Sequence, residues 1–355
     1  RLGAVVSRLN ELTETIQANA KTIQEHRERA DSSIAKDVET LNQSLHQVER
    51  LNADIVRTRN SGNDPSALID ARQNSIDEIA SIVPIREVDR SGGQVALMTK
   101  SGSMLLDGPA ATISFLRTPT ITADMTFASG ALSGLSLNGE PLDATNGFGR
   151  MDGGSLSAAF TLRDTTFPGV QEGLDAVAAD LITRFEDPNV DPTIAVGAPG
   201  LLTDRGSAMN PADLTGLSSR ISINAAVDPA SGGMLSRIRD GVGALISGPA
   251  GSSTQLNAWA SALRNQQPSS AGQISQTAVG AMADFGARIG SLRIAAEEEL
   301  GFETARWEVL KSAELAQGVD TDQEMQQLLR VEQAYAANAR VMQTIDIMMQ
   351  RLMEI

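Results

Sequence analysis

The sequence predicts an α+β multidomain protein. It reads as a long helical bundle formed by the N- and C-terminal segments, with mainly β domains inserted between them. Three observations carry that prediction. Apolar residues recur at three- and four-residue spacings over roughly the first 60 residues, and again from about residue 273 to the end. The stretch between is rich in Thr, Ser and Gly and holds short β-forming runs punctuated by turn residues. Aromatic residues make up only 3% of the 355-residue chain, so the core has to come from aliphatic helix seams.

Residues 1–83 are expected to be the N-terminal part of the bundle domain. Ile34, Val38, Leu41, Leu45, Val48, Asn52 and Ile55 alternate spacings of four and three, a heptad seam with one polar position at Asn52. Val5, Leu9, Leu12, Ile16 and Ile23 continue it upstream less regularly, and Asp31-Ser32-Ser33 is a candidate break or restart. In Ser61-Gly62-Asn63-Asp64-Pro65, Gly62 can close the helix. Asp64 can cap the next one, with Pro65 in its first turn. That second helix, about 65–82, carries Leu68, Ile69, Ile76, Ile79 and Ile82 and completes an αα-hairpin.

Residues 84–165 read as a β-rich inserted domain. Its expected strands are Ile85–Val88, Gln94–Met98, Met104–Leu106, Thr112–Leu116, Thr120–Phe127 and Leu135–Leu137, with turns at Ser91-Gly92-Gly93 and Asn138-Gly139. Residues 166–187 return as a helix packing back on the bundle through Val170, Leu174, Val177, Leu181, Ile182 and Phe185. Residues 188–272 are an irregular, variable inserted region interrupted by prolines, with a strand at Arg220–Val227 and a short helix at Gly233–Leu245. Residues 273–317 form the C-terminal helix of the bundle domain, carrying Met282, Phe285, Ile289, Leu292, Ala296, Leu300, Trp307 and Leu310.

Gly318 interrupts the pattern, and residues 318–355 form a last coiled-coil helix opened by a Thr321…Glu324 capping box. Leu328, Val331, Tyr335, Asn338, Met342, Ile345, Met349 and Leu352 repeat at three and four, all apolar except Asn338, with charges flanking the seam. A face this apolar has to be buried against a partner, so these eight residues are the expected assembly interface.

Composition excludes most chemistry. There is no cysteine, which removes disulfide scaffolds, Cys-ligated metals and thiol catalysis. Only two histidines, His26 and His46, are available for a triad or a metal site, and they stand 20 residues apart. The net charge of −15 argues against nucleic acid, because phosphate binding needs a basic surface. No apolar run approaches the roughly 20 residues that span a bilayer, so membrane insertion is not expected. Gly147-Phe148-Gly149 followed by Gly153-Gly154 has neither dinucleotide-loop spacing nor a P-loop lysine, and is read as a turn entering a helix. Asp187, Asp191 and Asp204 lie among prolines without EF-hand spacing. No catalytic, cofactor or metal residue is assigned. The chain opens at Arg1, and no apolar core with a small-residue cleavage site follows. It is expected to be either cytosolic or exported without a cleaved signal.

The segment Gly318-Val319-Asp320 … Glu324-Met325 … Leu328-Leu329 … Glu332-Gln333-Ala334-Tyr335-Ala336-Ala337-Asn338-Ala339-Arg340-Val341 … Met348 … Leu352 resembles the C-terminal signature of axial flagellar proteins. Within that group the chain most resembles the hook-associated protein 1 family. Leu51-Asn52-x-x-Ile55, Gly62 and Leu68-Ile69-Asp70-x-Arg72 resemble its "L-N-x-x-I … L-L-D-x-R-D" segment, with Ser66-Ala67 in place of the usual Asn-Asp before it and Gln73 in place of the Asp after it. Gly153-Gly154-Ser155-Leu156 … Leu162-Arg163-Asp164 … Phe167-Pro168 … Leu174 … Ala178 … Leu181 resembles its "G-G-x-L … L-R-D … L-P … L-x-x-L-A" segment.

The resemblance implies a non-enzymatic structural part of the bacterial flagellum, connecting hook to filament. It implies type III export without a cleaved signal and extracellular assembly, with terminal helices paired in an axial core and β domains outward. The implied partners are the hook protein, the second junction protein and filament, further copies in a ring, and an export chaperone on the C-terminal helix. Two alternatives stay open: a flagellin or the second junction protein, and a secreted hydrolase with a wall-degrading insertion.

Overall fold

The computed structural model describes residues 1–142, 147–267 and 275–317. The chain divides into two compact units, Arg1–Gly286 and Ala287–Ile355. The first is organised by one helix. α1 runs unbroken over Leu2–Asn60, 59 residues, or roughly 90 Å at 1.5 Å per residue. It ends in a Schellman motif: Gly62, at φ 75°, donates to the Arg59 carbonyl and Asn63 to the Thr58 carbonyl. α2 (Ser66–Ile82) returns along it. Asp64 accepts from both the Ser66 amide (3.0 Å) and its hydroxyl (2.6 Å), but the N-cap is Pro65, one residue later than the sequence suggests, and Pro65 precedes the helix instead of opening its first turn.

Two hydrophobic cores lie along α1. The first holds Val6, Ile16, Ala20 and Ile23 against α4 (Phe167–Phe185), a two-stranded antiparallel ribbon of β7 (Leu202–Asp204) and β8 (Ile221–Ile223), α5 (Ser236–Asp240) and α6 (Thr254–Arg264). Ala278, Met282 and Phe285, at the start of the last described helix, α7 (Ala278–Gln317), pack on this core. The second core holds Ile34, Val38, Leu41, Leu45 and Val48 against Ile76, Ile79 and Ile82 of α2. It is covered by the antiparallel sheet β1 (Ile85–Asp89), β2 (Val95–Thr99), β3 (Met104–Leu106) and by α3 (Gly154–Thr161). A second small sheet, β4 (Ile113–Ser114), β5 (Ser136–Leu137) and β6 (Glu140–Pro141), also rests on α1.

Several local expectations need correcting. The helix does not break at Asp31-Ser32-Ser33, because Asp31 turns inward as the buried partner of an arginine. Near the start, Val6 and Thr13 face the core, while Val5 is 41% exposed. Residues 120–127 form no strand: the Ile121 amide and the Thr122 and Met125 carbonyls bond side chains of α1, and the Met125 amide and Phe127 carbonyl close local turns. Arg220–Val227 shrinks to Ile221–Ile223 and the helix at Gly233–Leu245 to Ser236–Asp240. The helix entered at Gly153-Gly154 is α3, while no sequence-based expectation corresponds to α6. In the second unit, Ala287 onward continues as helix, with Arg293–Glu297 (3.2 Å) and Arg306–Glu303 (3.4 Å) as exposed pairs.

Candidate assembly surfaces

The motif residues are spent on holding the hairpin and its insertions together. Asn52, the one polar seam position, donates to the Val95 carbonyl (2.8 Å) and accepts from the Val95 amide (3.2 Å), clipping β2 to the helix. Its Oδ1 also accepts from Arg72 of α2 (3.0 Å), and Arg72 reaches the Gly93 carbonyl (2.7 Å). The two halves of the first motif therefore converge on one buried polar junction. Ten residues upstream, Asn42 repeats the device: it donates to the Ile113 carbonyl (2.8 Å) and accepts from its amide (2.9 Å). An Asn on a helix thus supplies a donor–acceptor pair to one strand residue, at the end of the central strand β2 in one case and on the edge strand β4 in the other.

The Leu162-Arg163-Asp164 motif lies on one π-helical turn, Leu162–Thr166, between α3 and α4. Its widened turn carries Arg163 into the boundary between the two cores, where it is fully buried. Arg163 donates to Asp31 (2.6 Å), to both oxygens of Asp164 (2.9 and 2.8 Å) and to the Ser133 carbonyl (2.9 Å). Its guanidinium also stands 4.8 Å from the Phe160 ring centroid and 5.6 Å from that of Phe115.

Arg27, one turn before Asp31, donates to the carbonyls of Arg163 (3.0 Å), Thr122 (3.0 Å) and Met125 (2.6 Å). Burial pulls its pKa below the ordinary guanidinium value; Asp164 opposes that shift and Arg163 adds to it. Asp31 accepts from the Thr118 amide (2.7 Å) and Glu28 from that of Ile121 (3.1 Å). Residues 118–125 are thereby laced to α1 by side chains, which leaves Thr120–Phe127 without a ladder.

A third buried arginine, Arg184 of α4, pairs with Asp180 through Nε and Nη2 and donates to the carbonyls of Ala262, Asn265 and Gln276. Cations at the C-terminus of a helix satisfy its free carbonyls, and here the helix is α6. None of these three arginines was singled out as a site. The available signal was positional: Arg27 falls on the seam between Ile23 and Ile34, where only an internally paired charge can sit.

The weaker sequence candidates are dispersed. His26 stacks on Phe167 at 5.2 Å, and His46 contacts Glu49 (3.1 Å) about 30 Å further along α1. Asp187 accepts from Asn189, buried Asp191 from Thr193 and Val242, and Asp204 from Arg220. Among the described residues no group of three His, Asp or Glu side chains could hold a metal ion. At Gly153-Gly154 the chain enters α3 against the end of α2. A Cβ on Gly154, whose φ is 69°, would meet the Ile82 carbonyl oxygen at 2.2 Å.

The predicted interface Leu328, Val331, Tyr335, Asn338, Met342, Ile345, Met349 and Leu352 lies outside the described residues. Within them, the face most in need of a partner is on α7, where Leu300, Trp307 and Leu310 are 60–68% exposed beside Ile289 and Leu292. No described helix is long and apolar enough to cross a membrane.

Comparison with known proteins follows the same segments. The family model described as flagellar hook-associated protein FlgK helical domain matches residues 3–192. That described as flagellar basal body rod FlgEFG protein C-terminal matches residues 315–355. No curated protein matches. The flagellar hook junction protein FlgK from Burkholderia pseudomallei is a solved structure similar to this chain. It is 15% identical over 57% of this chain and 36% of that one, at a TM-score of 0.43. This chain therefore spans little more than a third of that protein's length. Residues 3–192, more than half of the chain, contain the α1–α2 hairpin, the Asn52–Arg72 junction and the Arg27–Asp31–Arg163 cluster, and the chain belongs to the family of flagellar hook-associated proteins FlgK.

Proposed function

We propose that the chain is a structural subunit of the bacterial flagellum, an adaptor at the junction where hook meets filament, and that it has no catalytic role. The family match over residues 3–192 carries this reading. The buried polar groups are consistent with it: Arg27, Arg163, Arg184, Asp31 and Asp175 each hold one segment of the chain to another, as a structural subunit needs. The direct test is a deletion strain. Loss of attached filaments, with flagellin shed into the medium, is expected; filaments that stay attached would refute it.

We further propose that the protein leaves the cell through the flagellar export apparatus without a cleaved signal and assembles as a ring between hook and second junction protein. On this reading the stripe from Leu328 to Leu352 serves two partners in turn. A chaperone groove covers it before export, in the helix-in-groove mode, and it packs in the polymer afterwards. The Leu328→Asp/Met342→Asp variant should lose chaperone binding and junction assembly together. Normal chaperone binding by that variant would refute the shared surface.

A further inference from the structure

A concavity of about 480 Å³ opens between α1 and the α3–α4 connection. Its α1 wall is a single helix face: His26, Arg29, Ala30, Ser33, Lys36 and Asp37. Across from it stand Ser155, Ala158, Ala159, Leu162 and Phe167. Small side chains on both walls leave the width, while Leu162, 41% exposed, and Phe167 supply apolar surface. Asp37 is engaged by the Ser155 hydroxyl at 2.7 Å, and the His26 ring is stacked on Phe167. Arg29 and Lys36, two turns apart on the rim, form no ion pair or side-chain hydrogen bond among the described residues. In a chain of net charge −15, a groove edged by two unengaged cations selects an acidic occupant.

The same chain carries a segment of that description. On α7, Leu292, Ala296, Leu300 and Trp307 share one face, and Glu299 and Glu303 lie within that stripe. Glu298 adds to the local negative charge, while Glu297 and Glu303 are in exposed pairs with Arg293 and Arg306 of the same helix, weak contacts that a new partner can displace. Leu292 and Leu300 are 50% and 68% exposed, so the stripe meets solvent in the isolated chain.

We propose that the groove bounded by Arg29, Lys36, Leu162 and Phe167 receives the Leu292–Glu303 face of α7 from a second copy of this chain. Leu300 enters the apolar floor, and Glu299 and Glu303 meet the two cations. The proposal rests on the junction reading and specifies how neighbouring copies engage there. Steering by opposite charges gives the contact a register, and the apolar floor supplies burial.

The chain contains no cysteine, so single engineered thiols report the contact without background. Cells co-expressing Leu162→Cys and Leu300→Cys chains in place of the natural protein yield flagella that are isolated and oxidised. A disulfide-linked dimer is expected from the mixture and not from either variant alone. Arg29→Glu/Lys36→Glu in the first chain should lower its yield at least tenfold, and Glu299→Lys/Glu303→Lys in the second should restore it. Should either thiol variant fail to assemble, Ser33→Cys with Glu303→Cys tests the same contact from exposed positions. Flagella that contain the chain but give no dimer, a link formed only within one chain, or a dimer indifferent to charge reversal would overturn the proposal and leave the junction role intact. Natural protein missing from isolated, filament-bearing flagella would instead overturn the junction role, and this proposal with it.

Discussion

Replacing Asp31 by Ala should be among the most damaging single changes to this fold. The carboxylate is fully buried and does two jobs: it takes Arg163 Nη1 at 2.6 Å and the Thr118 amide at 2.7 Å. Truncation leaves one guanidinium arm and one backbone N–H without a partner where the two cores meet. Breaking a buried pair by removing one member costs about 3–5 kcal/mol. Arg163 keeps Asp164 and the Ser133 carbonyl, which places the expected loss near the lower end, about 3 kcal/mol. With a urea dependence of about 3 kcal/mol per molar, the unfolding midpoint read by far-UV circular dichroism should fall by about 1 M.

Hydrogen exchange supplies a local readout. Amides of residues 118–125 should lose protection in the variant before those of α2, because the lacing of that segment runs through Asp31, Arg27 and Glu28. The surface control is Glu39→Ala, which removes only an exposed contact with Gln43 and should move the midpoint by about 0.2 M or less. If Asp31→Ala behaved like that control, the claim that buried charge joins the two cores would be wrong.

Three further outcomes follow from the same geometry. Asn52→Ala removes the partners of the Val95 amide and carbonyl and of Arg72; a loss of about 2–3 kcal/mol is expected, visible as a lowered urea midpoint with early exchange at β2. Gly154→Ala sets a Cβ against the Ile82 carbonyl at a left-handed φ and should destabilise by at least about 2 kcal/mol, whereas Gly62→Ala, with open space around its Cβ, should cost about 1 kcal/mol by the same thermal melt. Glu186 is half-buried, and burial raises its pKa above the usual carboxylate value even though the Met209 amide donates to it. Its folded form therefore favours the proton. That contribution to stability is present below the ordinary Glu pKa and is lost as pH rises through the raised one. Glu186→Gln should accordingly gain midpoint relative to the natural chain at pH 7 and show little difference at pH 4.

How much of this was legible depends on where each segment finds its hydrogen-bond partners. The α1–α2 hairpin could be read because its information is local: a seam at three and four, then Gly62 and Asp64 at a turn. β1, β2 and β3 could be read because their pairing is between neighbours in sequence. Thr120–Phe127 has the composition of a strand, yet the Ile121 amide and the Thr122 and Met125 carbonyls bond side chains more than 90 residues earlier, on α1, and other backbone groups close local turns. No local pattern announces that. α6 was hidden differently. Leu256, Trp259 and Leu263 have helical spacing, but Ser, Gly and Pro on either side mask it, and its end is secured from outside by Arg184.

The candidate site was legible only in part. The motif positions Asn52, Arg72, Gly153-Gly154 and Arg163 do sit where segments join. Their roles came from distances no sequence displays. Arg27 and Asp31 could have been found, since both occupy seam positions on a helix whose other seam residues are almost all apolar. The irregularity there signalled an internal ion pair, not a break.

The most direct test of the central claim is a cryo-EM map of the hook–filament junction. The account predicts a layer of density between hook and filament into which the Arg1–Gly286 unit fits, with the continuous 59-residue rod of α1 and the two flanking cores resolved on either side of Arg163. A junction layer with no rod of that length, or one built entirely by another chain, would contradict it.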